Sequence, residues 1–152
     1  CDIETTKLMC TQLMALGHKA IPHIAARQVR NPDQTAELGK WTREEGIEEV
    51  FVIGGDLKKA HFYSESCHFL RDFLDAKPGV RTVGFAVYPD GHPAMTNFDC
   101  LNLALEKQDL LAEYGVNGLA TSQLCFDAGT IITWLGKMRA SLFVVPVIVG
   151  VP

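Results

Sequence analysis

The chain has no C-x-x-C pair, no run of basic residues, no unbroken apolar stretch of bilayer-spanning length and no glycine-rich nucleotide fingerprint. Each absence removes a class of function. The five cysteines (Cys1, Cys10, Cys67, Cys100 and Cys125) are odd in number and scattered. They support neither a disulfide framework nor a zinc site, and read as reduced thiols of a cytosolic protein. The longest apolar run, Leu142 to Val151, is broken by Pro146 and Gly150 and is too short to cross a membrane. The opening residues Cys1-Asp2-Ile3-Glu4 lack the basic and apolar regions of a secretory leader, so a cytoplasmic location is expected. A net charge of −4, without a basic–aromatic stripe, argues against nucleic acid or an anionic membrane as partner. There is no G-x-G-x-x-G, P-loop, G-x-S-x-G, H-x-H or H-E-x-x-H. Rossmann, nucleoside-triphosphate, serine-hydrolase and zinc-protease chemistry therefore lack support. His23, Asp56 and His92 are metal-capable by type but not by spacing, and no metal is expected.

What is present is a strict alternation of helical and strand patterns over 152 residues, 47% of them hydrophobic, which predicts one domain, 1–152. A helical stripe over Asp2 to Leu16 stops at Gly17, and a strand follows over Ala20 to Ala26. Asn31-Pro32 opens a helix that ends at Gly46, with Asn31 as cap and Pro32 in the first turn. Glu49 to Ile53 reads as a strand buried on both faces, leaving into Gly54-Gly55-Asp56. Ser64 is expected to cap a helix to Ala76, Asn97 a helix to Gly115, and Asp127 the last helix, which includes Met138. Strands are expected at Arg81 to Val87, Val116 to Thr121 and Leu142 to Val149. Alternation with short loops calls for a parallel α/β sheet with right-handed crossovers. A doubly wound sheet and a TIM-type barrel both fit. A complete barrel normally has eight strands in ~250 residues, and five strands are legible here.

In parallel folds, chemistry gathers where strands end. Reading only those ends picks out His23; then Gly54, Gly55 and Asp56; then Tyr88 and His92; then Gln123. Glycines allow main chain to approach a ligand without a Cβ in the way. Tyr88 and His92 offer hydrogen bonds, and Tyr88 also an aromatic surface.

These residues carry a resemblance. Pro22-His23-Ile24, Ile53-Gly54-Gly55-Asp56, Tyr63-Ser64, Tyr88-Pro89-Asp90-Gly91-His92-Pro93 and Ser122-Gln123-Leu124-Cys125-Phe126-Asp127 resemble, in order and spacing, the methylenetetrahydrofolate reductase family. The match runs from the third to the seventh strand of that family's catalytic barrel. It implies a partial (β/α) barrel of TIM type and an enzyme of one-carbon metabolism and methionine biosynthesis. The implied reaction reduces 5,10-methylenetetrahydrofolate to 5-methyltetrahydrofolate with hydride from NAD(P)H, through bound FAD. On that resemblance His23, Gly54, Gly55, Asp56, Tyr63, Ser64, Tyr88 and His92 line the flavin. Gln123 lies where folate and nicotinamide take turns, and Asp56 and Gln123 are the catalytic candidates. A carboxylate ~4 Å from a developing charge is worth about 4 kcal/mol at an effective dielectric near 20, enough to make a reduced flavin a readier hydride donor.

The family's acidic proton donor lies on its first strand, outside this chain, as do its second and eighth strands. The expectation is that those strands come from the rest of a longer polypeptide or from another chain, that a homo-oligomer can form, and that the isolated chain has no reductase activity. Gly54 stands where many members carry an arginine, and Asp99 and Lys107 correspond only loosely to a flavin-contacting pair. Flavin-free hydride transfer, C1 transfer from a folate-linked donor, and a non-catalytic folate- or flavin-binding scaffold remain alternatives.

Overall fold

The computed structural model describes residues 2–151. Cys1, one of the five predicted thiols, lies outside them. The elements alternate as expected: α1 (Ile3–Ala15), β1 (His23–Ala25), α2 (Pro32–Glu44), β2 (Glu49–Ile53), α3 (Ser66–Asp75), β3 (Thr82–Val87), α4 (Asn97–Glu113), β4 (Asn117–Ser122), α5 (Ala128–Ala140) and β5 (Val147–Ile148). A short 3-10 turn, Ala26–Gln28, follows β1 directly. The sheet is parallel and its strands lie in sequence order, β1-β2-β3-β4-β5. A doubly wound sheet needs a reversal of strand order, and none occurs. Right-handed crossovers between sequential neighbours send successive helices to the same side. The chain packs as two compact units, Cys1–Val83 and Gly84–Pro152, divided within β3.

The first unit departs from expectation at β2. β2 was expected to be buried on both faces, yet only Val50 and Val52 are buried, while Glu49, Phe51 and Ile53 are half-buried. Ile24 pairs in register with Val52 on the buried face; α3 packs on β2, and α2 packs on α3. His23 pairs with Phe51 on the other face, and their rings stack 4.7 Å apart. The two helices approach closely because Gly39 lacks a Cβ; one added there would lie 3.0 Å from the Ala76 Cβ. The buried Thr42 hydroxyl lies 3.0 Å from both the Gly39 carbonyl of its own helix and the Pro78 carbonyl of the link from α3 to β3.

In the second unit Phe85 and Phe143 are fully buried and meet edge to face, and Ala120 and Ser122 are the buried residues of β4. The expected strand Leu142 to Val149 shrinks to Val147–Ile148. Leu142 has φ 65°, and Phe143 N–H still closes α5 on the Met138 carbonyl. Val144 N–H donates to Gln108 Oε1, and the Arg139 guanidinium takes the Phe143 and Val145 carbonyls. Side chains of α4 and α5 thus occupy backbone groups a strand would need, and Pro146 has no N–H to offer.

The Asn31 and Asp127 caps form as expected, with Pro32 opening α2. Two other caps move by one residue. Glu65, not Ser64, precedes α3 and makes no side-chain cap bond. Thr96, not Asn97, caps α4 in a reciprocal box with Asp99. A Thr–x–x–Asp pair satisfies two backbone donors at once, whereas Asn97 could satisfy one. Among the described residues no helix is long and apolar enough to cross a membrane. The described cysteines are free thiols; Cys10, Cys67 and Cys125 are buried.

Candidate functional site

In the first unit Gly54, Gly55 and Asp56 follow the exit of β2, and the other candidates lie elsewhere. His23 is the first residue of β1, not the last; it is exposed and lies against Phe51 on the half-open sheet face. Gly54 and Gly55 have different constraints. A Cβ on Gly54 would meet nothing within 4 Å. Gly55 has φ +90°, and a Cβ there would lie 2.9 Å from the Ala25 Cβ. Its glycine character therefore lets the loop fold back over the end of β1. Asp56 is exposed, and no hydrogen bond or ion pair engages its carboxylate among the described residues.

Tyr63 has a different place. It is only 3% exposed. Its phenol donates to Asp72 Oδ2 of α3 at 2.6 Å and lies 3.0 Å from Thr35 Oγ1 of α2. Since the single phenolic proton is given to Asp72, the Thr35 hydroxyl is the donor in the second bond. Burial, then the Asp72 hydrogen bond, pushes the Tyr63 phenol up to about 12. The hydroxyl is thus committed to joining two helices. Ser64 is exposed, and its carbonyl accepts from Arg27 Nε at 3.2 Å.

Arg27 is the residue that sequence reasoning missed in this unit. Residues 54–64 form no helix or strand. Arg27 N–H donates to the Gly54 carbonyl, its own carbonyl accepts from His61 N–H, and Nη1 donates to the Leu57 carbonyl at 3.1 Å. With Ser64, one side chain and its peptide groups hold the loop at four points. The strand was expected to run through Ala26. The actual stop at Ala25, followed by a 3-10 turn, is what directs Arg27 into the loop.

In the second unit β3 exits into two turns. Gly91 N–H donates to the Tyr88 carbonyl, Gly91 has φ +85°, and Met95 N–H returns to the His92 carbonyl. The Tyr88 and His92 rings meet edge to face at 4.7 Å. His92 Nδ1 accepts from Ala94 N–H at 3.2 Å, so a neutral ring carries its proton on Nε2. Gln123 is exposed beside β3, its N–H 2.7 Å from the Val87 carbonyl. Its Oε1 accepts from Leu124 N–H, which fixes the amide's orientation. A cleft of about 590 Å³ opens between α4 and α5, with Tyr88, Phe98, Trp134 and Lys137 among its walls.

The two exit loops are joined by a pair not singled out from the sequence. The buried Cys125 thiol donates to Asp90 Oδ1 at 3.1 Å. Burial, then that carboxylate, pushes the thiol's pKa up. The loose candidates Asp99 and Lys107 have structural positions: Asp99 completes the α4 capping box, and Lys107 is buried with Nζ 5.3 Å over the Phe85 ring. Among the described residues no three His, Cys, Asp or Glu side chains converge as metal ligands.

No family model matches the chain.

Proposed function

We propose that the chain forms strands three to seven of a TIM-type barrel resembling methylenetetrahydrofolate reductase. The complete protein would reduce 5,10-methylenetetrahydrofolate with hydride from NAD(P)H through bound FAD. The observation that carries this reading is the position of the family-like motifs. G-G-D, Y-P-D-G-H-P and S-Q-L-C-F-D follow β2, β3 and β4 of a sheet wound in one direction. That winding supports a barrel wall, in which one sheet face carries helices and the other lines the interior.

The residues of the first unit fit a flavin: Asp56 offers an unengaged carboxylate, Gly54 has open space beside it, and His23 is exposed. His23, Gly54, Gly55, Asp56 and Ser64 would hold the cofactor there. Tyr63 would act from behind, since its hydroxyl is already used. The chemistry a flavin supplies is the relay of hydride between nicotinamide and folate. Asp56 opposes negative charge building beside it, and so favours departure of hydride and a cationic folate iminium. In the second unit, His92 Nε2–H can donate to a ligand oxygen. With Oε1 of Gln123 turned to Leu124, the amide's Nε2 donors remain for substrate.

The test uses the natural full-length polypeptide. FAD should bind, and NAD(P)H oxidation should depend on methylenetetrahydrofolate. Asp56→Asn should lower that oxidation at least about tenfold while FAD affinity changes far less. Equal loss of both would make Asp56 structural. Neither FAD binding nor folate-dependent oxidation in the wild type would overturn the proposal, and binding without turnover would favour the scaffold alternative.

A further inference from the structure

We propose that Arg27 is a positioning residue for Asp56, acting through the loop that carries it; the catalytic part of this inference rests on the function proposed above. Residues 54–64 form no helix or strand, so their shape depends on bonds from outside the loop. Arg27 supplies these at Gly54, Leu57, His61 and Ser64, and the Val29 carbonyl accepts one more from Phe62 N–H. Asp56 lies between the first two of those points. Its backbone is thus bracketed by the Arg27 main chain on one side and the Arg27 guanidinium on the other. The backbone bonds survive any substitution that keeps the 3-10 turn. The two side-chain bonds do not: Nε and Nη1 of one planar fork reach carbonyls seven positions apart in sequence, Leu57 and Ser64. A lysine ammonium is a single point on a flexible stem and cannot reproduce that pair. Arg27 touches no reacting atom in this scheme. Its effect is to set where the Asp56 carboxylate stands.

The experiment compares wild type, Arg27→Ala and Arg27→Lys in the natural full-length protein. Amide hydrogen exchange is measured without ligand, and FAD affinity and folate-dependent NAD(P)H oxidation are measured alongside. In Arg27→Ala the loop should open more often, so exchange of the hydrogen-bonded His61 and Phe62 amides should rise by about tenfold or more while β2 and α2 keep wild-type protection. Turnover should fall by up to ~100-fold, as expected when a catalytic group is displaced by about an ångström, with a smaller change in FAD affinity. Arg27→Lys should not restore either property. If Arg27→Ala does not fold, Arg27→Gln carries the same comparison. Unchanged loop exchange in the variant that folds, or full rescue by lysine, overturns the proposal. If wild type neither binds FAD nor oxidises NAD(P)H with folate, the functional reading fails and Asp56 loses its assigned role. Loop exchange then still decides whether Arg27 holds the loop.

Discussion

Replacing Gly55 by alanine should destabilise the protein far more than the same change one residue earlier. At Gly55 two costs combine. A φ of +90° lies in the region where an L side chain costs about 1–2 kcal/mol. The new methyl would also lie 2.9 Å from the Ala25 Cβ, inside van der Waals contact, where overpacking costs about 1–3 kcal/mol. Loss of glycine's freedom in the unfolded chain returns only about 0.4–1 kcal/mol. The net expectation is a loss of about 1–4.5 kcal/mol, a large part of the 5–15 kcal/mol typical of a domain. At Gly54 the backbone is ordinary and a methyl would meet nothing within 4 Å. There the unfolded-state effect acts alone, and Gly54→Ala should be neutral or gain up to about 1 kcal/mol.

Urea unfolding followed by circular dichroism checks this. With an m-value of about 2 kcal/mol/M, Gly55→Ala should lower the midpoint by roughly 0.5–2 M. Adding Ala25→Gly separates the two costs, because it removes the atom the new methyl meets and leaves φ untouched. A coupling of about 1–2 kcal/mol between the sites is expected, within the range seen for residues in contact. A Gly55→Ala midpoint indistinguishable from wild type would refute the reasoning. So would a double variant showing no coupling.

Two further predictions concern pH. The Tyr63 phenol is raised from 10.0 to about 12 in the fold, so between those values only the unfolded chain gives up its proton; stability should be intact below pH 10 and fall by roughly 1–2 kcal/mol toward pH 12. Urea midpoints at high pH should show that fall in wild type and much less of it in Tyr63→Phe. The Thr96 side chain holds Asp99, and the Thr130 hydroxyl and Gly129 N–H hold Asp127, below the ordinary carboxylate range. Their stabilisation is present above that range and is lost as pH falls through the lowered values; Asp127→Asn should keep α5 capped while removing its share of the acid response, read by far-UV circular dichroism.

Most of the element order was legible in the sequence because it rests on local rules. Glu49–Ile53 lies where its β-branched run and flanking signals put it, and the Asn31 and Asp127 caps formed because their side chains can reach backbone donors three and two residues on. The misses share one cause: a distant partner decided the outcome. Leu142 to Pro146 reads as strand, but Gln108 and Arg139 take its backbone groups. Tyr63 reads as a ligand contact, and only the packing of α2 on α3 shows Thr35 and Asp72 at its hydroxyl. Gly55 reads as room for a ligand, and its constraint turns out to be Ala25 on the neighbouring strand.

That pattern also shapes the candidate site. The residues marked from the sequence divide into those with open or unengaged groups, such as Asp56 and the space beside Gly54, and those committed to the fold, such as Tyr63 and Asp99. A ligand site needs both, because a carboxylate on an unsupported loop has no fixed direction. In the first unit support comes from Gly55 lying over Ala25 and from Arg27 bonded along residues 54–64. Neither contact involves the Asp56 side chain. The carboxylate can therefore be exchanged for an amide without disturbing the loop's support, whereas changing Gly55 or Arg27 keeps the carboxylate's charge and disturbs the loop that positions it. Substitutions at these three positions consequently separate the charge at the strand exit from the geometry that presents it.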